Sequence, residues 1–295
     1  MTSYPFKQVD VFTTQPFCGN PVAVVLGADT LTPADMQRIA TWTNLSETTF
    51  VLSPTRAEAD YRLRIFTPKG ELPFAGHPTI GSAHAVLESR LVRPYNSQLV
   101  QECEAGLLPL RIEKTGSHQR LQRLFVQTPE AKVSTVDVLQ HAKIASALQA
   151  SLVPDAPPLR IDIGPVWLIV QLENAQLVHG LQPDMAAITR VSQELQLTGI
   201  TVFGVTETEG SAVYTRSFAP AANVPEDPVC GSGNASVAAF LVHSDKLSLT
   251  GETYVANQGQ ELGRAGFVHV SVSGAGRTIE IGGSSVTCIE GSLQV

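Results

Sequence analysis

"FAGHPTIGSAHAVL", residues 74–87, and "VCGSGNASVAAFLV", residues 229–242, read as one device written twice. Each reaches a glycine, Gly76 or Gly231, and runs straight into small and apolar residues. Such a run can pack as a buried helix, because its side chains are small. Outward from these stretches the matches continue in the same order. "RIFTP" at 64–68 pairs with "RSFAP" at 216–220, and seventeen residues before the two arginines stand Glu47 in "LSETTFV" and Gly199 in "LTGITVF". "GNPVAVVL" at 19–26 has a looser echo in "GPVWLIVQL" at 164–172. Chance could produce any one match; their shared order makes internal duplication the better reading. Two similar halves imply a cleft between them, with the matched glycine turns facing across it.

The other elements fit an α+β class. β-Branched stretches, "VAVVL" 22–26, "TTFVL" 48–52, "YRLRIF" 61–66, "VWLIVQL" 166–172, "ITVFGV" 200–205, "FVHVSVSG" and "TIEIGG", read as short strands. Helices are predicted over 32–43, with Thr32 as cap and Pro33 at the first helical position, over 135–149 and 184–195, and at the glycine turns over 78–88 and 233–243. Strands outnumber helices and do not alternate with them in a doubly wound way. The break between halves falls near "EKTGSHQR", 113–120, which sets domains of 1–117 and 118–295. Whether the last strand, near "SSVTCIEGSLQV", returns to the first half stays open.

Composition narrows the function classes. The 295 residues are 43% hydrophobic and 16% charged, with a formal charge of −7. That describes a globular chain, and without a clustered Lys/Arg run nucleic acid is not the expected partner. The start, "MTSYPFKQVDVF", lacks a signal-peptide core and no apolar run reaches membrane-spanning length, so a cytoplasmic protein without membrane partners is expected. Cys18, Cys103, Cys230 and Cys288 form no CxxC pair, which disfavours a disulfide framework or a structural zinc site. There is no H-E-x-x-H, and His77 to His84 does not match a zinc spacing, so no metal is expected.

A helix beginning at a glycine turn leaves backbone N–H groups without intrahelical partners, at the end where the dipole favours negative charge. Gly76, Gly231 and Gly233 would let a small anion such as a carboxylate approach them; the alternative is that these glycines only permit tight packing. "GSGNAS" is neither a P-loop nor G-x-G-x-x-G, since Ser236 fills the last position.

Side chains near the two turns supply the candidate chemistry. Glu47, at the edge of an apolar strand, is either an acid/base whose proton affinity burial raises or a solvated surface carboxylate. His77 stands at a helix entrance, with Ser232 at the duplicated position. Asp227, before Pro228, either orients His77 or a substrate amine, or steadies its own turn. Cys230, beside a helix N-terminus, is expected to have a lowered thiol proton affinity; it could be a second acid/base, a bystander or a nucleophile. Asn20 either binds substrate or satisfies a turn. Cys18, Cys103 and Cys288 read as buried small apolar residues.

"QVDVFTTQPFCGNPVAVVL", "NLSETTFV", "RIFTPKGELPFAGHPTIGSAHAVL" and "EDPVCGSGNASVAAFL", spanning about residues 8–242 in order, resemble the PhzF-like, or phenazine-biosynthesis-like, isomerases, relatives of diaminopimelate epimerase. The resemblance implies two similar domains, each a β-barrel-like sheet around a central helix, with the active site between them, in a homodimer. It implies a cofactor-independent isomerase. Carried over, Glu47 transfers the proton, His77 and Asp227 support it, and backbone groups at Gly76, Gly231, Ser232 and Gly233 hold the substrate carboxylate. In diaminopimelate-epimerase-like enzymes two cysteines precede the two turns; here the places hold Ala75 and Cys230, so that pair is broken. PhzF itself usually has a hydroxyl residue where Cys230 stands.

The resulting expectation is proton transfer on a small carboxylate-bearing, amino-acid-like molecule. With Cys230 on the opposite face it would be an epimerisation; with Glu47 alone, a double-bond or keto-enol shift. Two rivals stand beside it: a cysteine hydrolase or transferase with Cys230 as nucleophile and His77 as base, and a ligand-binding module without catalysis.

Overall fold

The chain opens with an antiparallel pair, β1 (Ser3–Val11) and β2 (Asn20–Val25). The turn entering β2 requires glycine. Gly19 has φ +62°, and a Cβ there would lie 2.1 Å from the Val11 carbonyl oxygen. Helix α1 (Pro33–Thr43) follows, with Thr32 accepting from the Asp35 N–H and the Asp35 carboxylate reaching back, a capping box. It buries Met36, Ile39 and Ala40 and carries the chain across to β3 (Thr48–Leu52), parallel to β2. β4 (Tyr61–Phe66) returns antiparallel, and the two-residue β5 (Glu71–Leu72) pairs with it before α2 (Gly76–Glu88) begins. β6 (Gln98–Cys103) then lies parallel to β4, and β7 (Gly106–Lys114) and β8 (Gln122–Gln127) continue as an antiparallel meander.

The second part repeats this plan. β9 (Lys132–Thr135), α3 (Val138–Leu148) and β10 (Leu159–Asp162) lead to β11 (Val166–Gln171), antiparallel to β10. Helices α4 (Ala175–His179) and α5 (Met185–Glu194) cross over to β12 (Gly199–Val205), parallel to β11. β13 (Val213–Ala219) is antiparallel to β12, the short β14 (Val224–Asp227) pairs with it, and α6 (Gly231–His243) begins. β15 (Thr253–Gln258) lies parallel to β13, β16 (Gly266–Ser273) is antiparallel to β15, and β17 (Thr278–Gly283) follows. The last strand, β18 (Ser285–Gln294), pairs antiparallel with β1.

The computed structural model describes residues 1–114, 122–206, 210–276 and 278–295. They form two units, Met1–Gln127 with Gly282–Val295, and Thr128–Ile281. The boundary at 117/118 lies outside the described residues. The fold is α+β with two similar domains, because the order of pairings (antiparallel, parallel, antiparallel, parallel, antiparallel) is the same from β1 to β7 as from β10 to β16.

Each sheet is curled around one helix. α2 packs against β1, β2, β3, β4, β8 and β18, and α6 against β9, β10, β11, β12 and β16. Both helices have 13 residues. Small side chains permit the enclosure: a Cβ on Gly81 would meet Val22 Cγ1 at 2.4 Å and Val11 Cγ2 at 2.8 Å. Both helices start two residues earlier than the periodicity suggests, at the glycines themselves, because Ala75 and Cys230 are extended N-caps. Among the described residues no helix is long and apolar enough to cross a membrane.

Candidate active site

Glu47 is the residue immediately before β3, held there by its carbonyl, which accepts from the Ala23 N–H of β2. The polar residues that follow it are structural. Thr48 bonds Thr43 at the end of α1, and Thr49 bonds both the Ala23 carbonyl and Ser82 of α2. They hold the start of β3 against the central helix and leave Glu47 turned toward its entrance. There Glu47 Oε2 stands 3.3 Å from His77 Nε2, with side-chain exposures of 15% and 9%. Glu47 Oε2 carries no hydrogen bond among the described residues. Burial therefore acts almost unopposed on this carboxyl and pushes it up to about 7, with the Ser46 hydroxyl pulling the other way.

His77 is the second residue of α2, one beyond Gly76. The N-cap Ala75 provides no side-chain cap, so the first-turn N–H groups receive no acceptor from it. Asn20 opens β2 opposite Val11, and only 2% of it is exposed. Glu47, His77 and Gly76 are thus brought together in the first unit. Sequence reasoning did not single out Ser46, whose place beside Glu47 is visible in "LSETTFV".

In the second unit, Asp227, Cys230, Gly231, Ser232 and Gly233 lie on the turn into α6. Asp227 Oδ1 accepts from the Val229 N–H at 3.2 Å, the turn-steadying contact that was one of its two readings. Cys230 Sγ caps α6 by accepting from the Gly233 N–H at 3.2 Å and lies 3.5 Å from Ser232 Oγ. Ser232 Oγ in turn accepts from Trp167 Nε1 at 2.9 Å. Gly233 is also a packing glycine, since a Cβ there would meet Ser217 Oγ and Thr201 Oγ1 at 2.7 Å. The N–H groups of Gly231 and Ser232 lie ahead of it in the first turn, where a helix offers no intrahelical partner.

The thiol expectation is corrected. Burial first, then the negative charge of Asp227, push Cys230 well above its ordinary value, outweighing the Gly233 N–H that favours thiolate. Cys18, Cys103 and Cys288 are half-buried and not fully enclosed, and Cys288 Sγ donates to Asp10 at 2.9 Å. Among the described residues no group of three or more His, Cys, Asp or Glu side chains could hold a metal ion.

Comparison with known proteins identifies the family and the fold. The family model described as phenazine biosynthesis-like protein, PhzC-PhzF, matches residues 9–291. The chain is 44% identical to a Schizosaccharomyces pombe protein named antisense-enhancing sequence 1, over 99% of each. It is 32% identical to the trans-2,3-dihydro-3-hydroxyanthranilate isomerase of Pseudomonas fluorescens, over 97% of each. A crystal structure of the Bacillus anthracis phenazine biosynthesis protein of the PhzF family superposes with a TM-score of 0.85, 26% identity and full coverage of both chains.

Proposed function

Because the chain belongs to the phenazine biosynthesis-like PhzC-PhzF family, a family of isomerases, we propose that it is a cofactor-independent isomerase that moves a proton on a small carboxylate-bearing, amino-acid-like molecule with Glu47 as acid and base. One observation carries this reading: a carboxyl raised to about 7 by burial, 3.3 Å from His77. A group titrating there is a base strong enough to take a proton beside a carboxylate or alkene and an acid strong enough to return it.

In the ionised state Glu47 removes the proton from carbon. It then carries that proton as a carboxylic acid and delivers it to a second carbon. His77 steadies the carboxyl during the transfer. The Gly76 N–H and the positive end of α2 stabilise the negative charge that develops on the substrate. In the second unit the N–H groups of Gly231 and Ser232 are the anion-binding element, Asp227 accepts from a substrate amine, and Asn20 is a further binding residue of the first unit. Burial and Asp227 disfavour the Cys230 thiolate, so Cys230 is not the base, and the proposed step is the one-carboxyl double-bond or keto-enol shift, which needs no second group. The same property, with 4% exposure, weighs against Cys230 as a hydrolytic nucleophile. On this reading the enzyme works in the cytoplasm as a homodimer, without metal, nucleic acid or membrane.

The test is incubation with trans-2,3-dihydro-3-hydroxyanthranilate, and with a panel of amino acids, in deuterated water. Isomerisation or loss of the carbon-bound proton signal, reduced at least ~100-fold in Glu47→Gln and retained in Cys230→Ser, is the expected result. Binding without exchange across the panel would leave only the ligand-binding module; loss in Cys230→Ser with a trapped adduct would favour the hydrolase.

A further inference from the structure

The turn into α6 is held by a residue far from it in sequence. Gln258, at the end of β15, is 1% exposed. Its Oε1 accepts from the Cys230 N–H at 3.0 Å and from Asn234 Nδ2 at 2.9 Å, with Thr215 Oγ1 3.2 Å away. Its Nε2 donates to the Asp227 carbonyl at 2.8 Å. One carboxamide thus engages both ends of the Asp227–Cys230 segment. The next residue presses on the same segment: Gly259 has φ +92°, and a Cβ on it would lie 2.5 Å from the Pro228 carbonyl oxygen.

Among the described residues the first unit has no such clamp. Its buried glutamine on the corresponding strand, Gln101, bonds Tyr61 and, at position 4 of α2, Thr79, and neither bond reaches the N-cap Ala75. The difference falls where the sequences differ, at "LPFA" against "DPVC".

We infer that Gln258 is the positioning residue of the α6 mouth, fixing the Cys230 N–H and the Asp227 carbonyl together and so setting where the thiol and the carboxylate stand. The chemistry requires a glutamine. A leucine would strand the Cys230 and Asn234 donors. An ionised glutamate would set a negative charge against the Asp227 carbonyl, whereas a protonated one reproduces both the acceptor and the donor. The catalytic part of the inference rests on the proposed isomerase reading; the geometric part does not.

The experiment uses the full chain labelled with [15N]cysteine, whose 4 cysteines give one amide signal each, the Cys230 signal being assigned by its loss in Cys230→Ser. In Gln258→Leu the Cys230 signal moves while the other signals stay, and labelling of Cys230 by iodoacetamide accelerates about ten-fold, the scale of one lost buried hydrogen bond. Turnover of trans-2,3-dihydro-3-hydroxyanthranilate shows KM raised about ten-fold, with kcat changed much less, because the α6 mouth holds the substrate and does not carry the proton. Gln258→Glu behaves as the native protein at low pH and as Gln258→Leu once its carboxyl ionises, a pH-dependent rescue that a residue serving stability alone would not place at Cys230. If Gln258→Leu fails to fold, Gln258→Glu carries the test by itself. An unmoved Cys230 signal with unchanged labelling, displacement of all cysteine signals together, or a pH-independent Gln258→Glu would overturn the inference. A native protein that turns nothing over refutes the isomerase reading, while the amide and labelling measurements still decide the role of Gln258.

Discussion

Glu47 acquires its chemistry from what is missing around it. No cation and no hydrogen-bond donor reaches Oε2 among the described residues, apart from the approach of His77, so desolvation dominates. A catalytic carboxylate must be ionised to take the first proton, so kcat/KM rises as pH passes upward through about 7 and levels off above it. The motif around Glu47 was legible in "LSETTFV"; its burial was not, because that depends on α2 closing over the start of β3. Cys230 shows the opposite failure. The favourable helix end was visible in "CGSG", whereas the enclosure of the thiol and the approach of Asp227 come from the folded turn and reverse the sign.

At the scale of elements, the repeated arginines explain how the two central helices are aimed. Arg64 forks onto Glu71 through Nε and Nη2 at 2.7 and 2.6 Å, and Arg216 onto Glu226 at 2.8 Å for both. Each pair ties β4 to β5, or β13 to β14, just ahead of α2 or α6, and each guanidinium lies over the phenylalanine two residues on. The signal was present as Glu-x-Pro-x-x-Gly in "ELPFAG" and "EDPVCG", but sequence alone could not show that Arg and Glu meet. Burial separates the two forks. Arg216 and Glu226 are 6% and 10% exposed, and Arg216 also donates to the Val178 and Leu181 carbonyls. Arg216→Met is expected to cost about 3–5 kcal/mol by stranding Glu226. The more open Arg64 fork is expected to cost about 1 kcal/mol on Arg64→Met. Urea unfolding of the two variants measures the contrast. The strands quoted from the sequence were β-branched runs, and the last strand was read near "SSVTCIEGSLQV"; β1, β5–β10 and β13–β15 went unread because they are short or interrupted by polar residues and their partners supply the order.

The whole molecule repeats one pairing plan twice, and the repeated sequence order announced it. The closing pairing of β18 with β1 had no local signal, since register between chain ends is settled only by the finished sheet. The site also leaves a mark on global stability. The carboxyl of Glu47 ionises near 4.5 in the unfolded chain and about 7 in the folded one, so the folded state binds the extra proton between those values. Stability is fully present below about 4.5 and is lost as pH rises to about 7, by about 3 kcal/mol. Glu47→Gln has no such loss, so its thermal midpoint gains on the native protein between pH 5 and pH 8. The most direct measurement is a carbon-13 titration of the full chain labelled at the glutamate side-chain carboxyls. One signal titrating at about 7 and absent from Glu47→Gln is the expected result. A Glu47 signal titrating near the ordinary glutamate value of about 4.3 would contradict the acid/base role at its root.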